Sequence, residues 1–205
     1  MNKYIIWTAK AVSNIFAPWY LALLGYALLL IFSYMNAIPW SVMAILLLTV
    51  YFFTILLPHW AICLYVRIQG WKEQEIGKRE HRVVPYLISI MCYMALLYVL
   101  NNVFHAQTYS QAIIVGALLV QVACAIANIW IKVSTHAAGA AGITGALMAL
   151  SLVYGFNPSG WLAGSVMMCG VVCSARMILR QHTLGEVGLG SLIGLLCGWS
   201  IVLFL

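Results

Sequence analysis

The chain has 205 residues, of which 65% are hydrophobic and only 7% charged. A soluble globular domain carries roughly 25% charged residues, so this balance excludes an ordinary water-soluble fold. The net charge of +6 does not indicate nucleic acid, because the basic residues fall in short polar stretches between apolar runs, where membrane topology puts them. Several of those runs reach the roughly 20 residues needed to cross a bilayer. The expected fold is all-α: a polytopic transmembrane helical bundle of about six to seven spans, forming a single integral membrane domain over residues 1–205.

Residues 1–12 read as an interfacial amphipathic lead-in, with Lys3, Lys10, Tyr4 and Trp7. They have no short apolar core followed by a small-residue cleavage site, so no signal peptide is expected. A first span is predicted over 13–34, kinked at Pro18. The second covers 41–57, with apolar character resuming after Pro58-His59 as far as Val66. A polar amphipathic segment, 67–82, separates it from a third span at 84–101, where Pro85 is tolerated in the first helical turn. An uncharged link leads to a fourth span at 111–131. The fifth, 137–154, is rich in glycine and alanine and suited to close helix packing. The turn Gly155–Gly160 precedes a sixth span at 161–179 and a seventh at 184–204. In the last, Gly190, Gly194 and Gly198 recur every four residues as a small-residue stripe.

With seven spans, all ten lysines and arginines fall on one side. The positive-inside rule makes that side cytoplasmic and the C-terminus external, and the expected setting is a bacterial inner (plasma) membrane. The six cysteines lie mostly in apolar runs and read as small hydrophobes. Cys169 and Cys173 share a helix face, but no metal site is expected there.

The chemistry concentrates in Ser174–Glu186, which joins two apolar spans yet holds Arg176, Arg180, His182 and Glu186. If Arg176 ends one helix and His182 precedes the next, cation and imidazole face one interfacial pocket. Glu186, in the first turn of the following helix, then reaches back to orient the ring. A phosphate site requires these parts: a cation for the charge, a nucleophile, and a carboxylate fixing the nucleophile's tautomer. The competing reading is structural, since Thr183-x-x-Glu186 is also a capping box and the arginines also suit membrane anchoring.

Two further clusters fall on the same face. In Lys132–Gly139, Ser134 or Thr135 is placed to cap the next helix, whose start suits phosphate oxygens. His136, in its first turn, is placed to act as a general acid. In the segment Trp71–Pro85, Lys72 and Arg79 share a helix face and Arg82 follows one turn later. These three form either a headgroup-facing surface helix or the cationic wall of a phosphate site.

In this order the three clusters resemble the signature of the type 2 phosphatidic acid phosphatase family: Lys-x6-Arg-Pro, Pro-Ser-Gly-His, then Ser-Arg-x5-His-x3-Asp. The resemblance covers about residues 72–190 and is strongest in Arg176-x5-His182-x3-Glu186. The second motif is reduced to Ser134-Thr135-His136, with Val133 at the proline position. The first keeps Lys72-x6-Arg79, but Glu80 follows instead of proline. The resemblance implies a helical membrane core with His182 as a nucleophile forming a phosphohistidine, Glu186 in place of the orienting aspartate, and His136 as general acid. Arg176 with Arg79 or Arg82 would clamp the phosphate. In that family the site usually faces away from the cytoplasm, against the charge count here.

The expected function is therefore a membrane-embedded phosphatase acting on a lipid phosphate or diphosphate. Its partners would be that phosphorylated lipid and membrane lipids, with no nucleic acid, cofactor or metal. The alternative is a non-catalytic lipid-binding or transport protein retaining an anion pocket, a reading that buried polar residues inside spans, such as Asn128 and Thr144, would favour. A purely structural membrane protein is the third possibility.

Overall fold

A computed structural model of the chain describes residues 3–32, 39–70, 80–106, 108–155 and 157–203. Among the described residues every regular element is helical. The first departure from expectation is at Pro18. Helix α1 (Lys3–Ile15) ends before it, and α2 (Pro18–Phe32) begins on it. Proline at a first helical position costs no hydrogen bond, whereas inside a helix it removes one and strikes the preceding turn. The predicted 13–34 span is thus divided, and the lead-in is a 13-residue helix that buries Ala9 and Ser13, one turn apart.

Beyond it the opposite happens. Helix α3 (Trp40–Tyr51) continues through a π-helical turn, Phe52–Leu56, into α4 (Leu57–Gln69), giving one 30-residue helix. Pro58 would crowd the carbonyl of Thr54, one turn back. The widened turn, with Leu57 N donating to Phe52 O, relieves that crowding without breaking the helix. Gly70, at φ 67°, then ends α4 in a left-handed cap. A short 3₁₀ turn, Glu80–Arg82, leads into α5 (Val83–Asn102). The remaining helices are α6 (Thr108–Ala127), α7 (Thr135–Tyr154), α8 (Ser159–Ile178) and α9 (Leu184–Leu203).

Among the described residues six helical stretches are long and apolar enough to cross a membrane: Trp40–Gln69, Val83–Asn102, Ser110–Ala127, Thr135–Val153, Ser159–Ile178 and Leu184–Leu203. Helix α2 is described over 15 residues, up to Phe32. Trp40, Trp130 and Trp161 are exposed near helix ends, as aromatic residues are at bilayer interfaces.

The chain divides into two compact units, Met1–Pro18 with Leu119–Leu205, and Trp19–Leu118. The second unit has a core of large side chains, with Tyr26 and Leu30 of α2, Val50 of α3, Leu96 and Leu100 of α5 and Ile114 of α6 all sealed. The first unit is built around α7. There 39% of the membrane-length window is buried, against 22–28% in the other five, which makes α7 the most buried of these spans.

Candidate phosphate site at the starts of helices α7 and α9

The site-bearing turn begins where α8 ends. Gln181 N donates to Arg176 O (3.2 Å) and Arg180 N to Met177 O (2.9 Å), the paired bonds of a Schellman cap. Arg180 takes the left-handed position at φ 54°, where glycine is usual because a side chain there is strained. The reversed chain presents the Gln181 carbonyl to Lys132, whose Nζ donates to it at 2.8 Å. The α6–α7 and α8–α9 turns are thereby tied together, which joins the second and third sequence clusters.

His182 follows, with its side chain only 1% exposed. Its Nδ1 lies 2.7 Å from Glu186 Oε2. The same carboxylate oxygen accepts from Thr183 N (3.4 Å), while Glu186 N donates to Thr183 Oγ1 (3.4 Å). The capping box and the His-orienting carboxylate, set against each other by the sequence, are one arrangement. Capping holds Glu186 in place, and Glu186 holds the ring. A neutral ring that donates its Nδ1 proton to this carboxylate carries its lone pair on Nε2.

Arg176, in the last turn of α8, is nine-tenths buried and donates from Nη1 to Ser13 Oγ of α1 at 2.7 Å. A guanidinium is rarely buried without such partners. Ser13 was not legible as a site residue, since nothing local links two positions so far apart in the chain.

Helix α7 starts beside this turn. Ser134 is its N-cap, fully buried, with its Oγ accepting from Ala137 N at 3.4 Å and its own N–H donating to Glu186 O at 3.3 Å. The register of α7 against α9 is set by glycine. A Cβ added at Gly190, Gly194 or Gly198 would overlap the carbonyl oxygen of Ser134, Ala138 or Gly142, respectively. These pairs share a constant offset of 56 residues, so the helices run parallel with backbones in direct contact. At that offset position 136 lies level with position 192, and the start of α9 at Leu184 lies roughly 12 Å before it. His136, half-buried with Nδ1 shielded from solvent, therefore sits farther along the shared helix direction than His182. Cα–Cβ bonds on a helix tilt toward its N-terminus, so that of His136 tilts toward the His182 end.

Of the expected cationic wall, Arg82 is the half-buried residue capping α5, in the second unit. Lys72 and Arg79 lie outside the described residues. Two polar residues noted in the spans, Asn128 and Thr144, are buried, and Thr144 Oγ1 donates to Ser165 Oγ of α8 at 3.1 Å, a helix-to-helix bond. Cys169 and Cys173 both approach Ser191 Oγ of α9, at 3.9 and 3.6 Å. Among the described residues no three His, Cys, Asp or Glu side chains gather as a metal-ligating group.

Compared with protein-family models, curated proteins and solved structures, the chain matches none.

Proposed function

We propose that the protein is a membrane phosphatase that transfers the phosphoryl group of a lipid phosphate or diphosphate to His182 and then to water. The observation that carries this reading is the buried His182 ring held through Nδ1 by Glu186 at 2.7 Å. An imidazole fixed in that tautomer offers Nε2 as a nucleophile and keeps a proton on the carboxylate side. The resemblance to the type 2 phosphatidic acid phosphatase motifs supports the same assignment.

In the first step His182 Nε2 attacks phosphorus and the bond from phosphorus to the lipid oxygen breaks. His136 gives its proton to the departing alkoxide, or to the departing phosphate of a diphosphate. In the second, His136 takes a proton from water, the water oxygen attacks phosphorus, and the P–N bond breaks to free His182 and phosphate. Arg176 offsets the phosphoryl charge in both steps. The stagger of the two histidines suits this division of labour. A lipid phosphate enters with its ester oxygen toward the bilayer, so the acid belongs farther along the helices and the nucleophile at their start.

The site face is proposed to be cytoplasmic because Arg67, Arg82, Lys132, Arg176 and Arg180 all fall at the ends of the membrane-length helices that share its side, and the setting a bacterial inner membrane. Phosphate release from a panel of phosphorylated lipids tests the function. Wild type is expected to turn over at least one, and His182→Ala none. Glu186→Gln is expected to lose about 10²-fold or more in kcat. Wild type that binds a lipid of the panel and releases no phosphate from any makes the protein a binder.

A further inference from the structure

Alongside the Arg176–Ser13 contact, α1 and α8 leave an open groove of about 500 Å³. Ala9 and Val12 of α1 form one wall, and Met167, Gly170, Val171 and Ile178 of α8 the other. Two hydroxyl residues also line it, Thr8 and Ser174, but both are turned back on their own helices. Thr8 Oγ1 donates to Ile5 O at 3.0 Å and Ser174 Oγ to Gly170 O at 2.8 Å. Back-bonded hydroxyls of this kind present little polarity sideways, so the groove is apolar along its length.

Its position is as informative as its lining. It passes Ala175, the neighbour of Arg176, and Val12, the neighbour of Ser13, and extends along α8 to Met167. From Met167 to Ile178 is roughly 16 Å of helix, about half of a 30 Å hydrocarbon core. A cation therefore lies beside one end of an apolar trough that reaches about as deep as one leaflet. That is the complement of an anionic headgroup carrying a hydrocarbon chain.

We propose that this groove seats an acyl chain of the lipid whose phosphate Arg176 holds; the inference rests on the phosphate-binding role of Arg176 proposed above. Helix α1, which lies outside the three motifs, would thus be a substrate wall, and the depth of the groove would select for chain-bearing phosphates. Gly170 makes the trough open, and a Cβ added there meets no atom within 4 Å. Gly170→Leu should therefore fill the groove without disturbing the helices. Gly164, on the same helix, outside the groove and equally free of neighbours, provides the control.

The test measures KM for dioleoyl phosphatidic acid and for the chainless ester para-nitrophenyl phosphate, together with retention of dioleoyl phosphatidic acid on the detergent-purified protein. Gly170→Leu is expected to raise the ratio of the two KM values at least about 5-fold and to lower lipid retention, with Gly164→Leu matching wild type in both. Turnover with an unchanged ratio and unchanged retention overturns the groove and leaves the phosphatase reading standing. If wild type turns over neither compound but Gly170→Leu alone loses lipid, the groove stands and the phosphatase reading falls.

Discussion

The two units hold their helices together by different means. In Trp19–Leu118 the helices are spaced by large side chains, with Tyr26, Leu30, Leu96 and Leu100 sealed among them. In the other unit α7 and α9 meet backbone to backbone, along Ser134–Gly190, Ala138–Gly194 and Gly142–Gly198. A side-chain core tolerates adjustment, because rotamers shift to absorb a change. A glycine seam does not, because its contact atoms are main-chain carbonyls. The rigid seam carries the histidines: His182 and Glu186 stand at the start of α9, and Ser134 and His136 at the start of α7. Positioning within about half an ångström is what the proposed nucleophile and acid would require to share one phosphoryl group.

The largest expected effect comes from forcing the seam apart. Gly194→Leu places side-chain atoms where the Ala138 carbonyl stands and should cost at least about 3 kcal/mol, read as a collapse of Tm in detergent or failure to accumulate. Leu96→Ala, in the core of the other unit, should cost about 2 kcal/mol. That is the low end for a buried leucine, because lipid tails are as apolar as the interior and only packing is lost. If Leu96→Ala proves the more damaging, the contrast between seam and side-chain core is wrong. Ser13→Ala should cost about 1.5 kcal/mol through the lost charge-assisted bond to Arg176, with KM for a lipid phosphate rising more than kcat falls, and Ser13→Thr should restore much of it. The smallest effect belongs to Gly188→Ala, on α9 but away from the seam with nothing within 4 Å of an added Cβ. It should change stability by no more than about 1 kcal/mol, in the favourable direction.

Much of the first unit was legible in the sequence because its signals are local. The four-residue glycine repeat gave the close-packed face of α9, and the spacing of His182, Thr183 and Glu186 gave the ring contact and the cap. Where two local rules competed, the sequence reading took the wrong one, kinking a span at Pro18 and ending one before Pro58. Pro18 and Pro58 look alike in an apolar run, yet one starts a helix and the other is absorbed by a π turn. The difference is set by the surroundings of each turn, not by the residue. The partner of Arg176 was hidden for another reason. Ser13 reads as the first residue of an apolar span, and only tertiary packing of α1 on α8 makes it the residue that receives a buried guanidinium.

The buried, Glu186-held His182 is the proposed acceptor of the phosphoryl group. The most direct measurement is rapid quenching into alkali of wild-type protein mixed with a lipid phosphate labelled at phosphorus, followed by peptide mapping. The expected result is label on the His182 peptide that is stable in alkali and lost in acid, as a P–N bond is, and absent from His182→Ala. Phosphate released by wild type with no label on His182, or label that persists in His182→Ala, would contradict it.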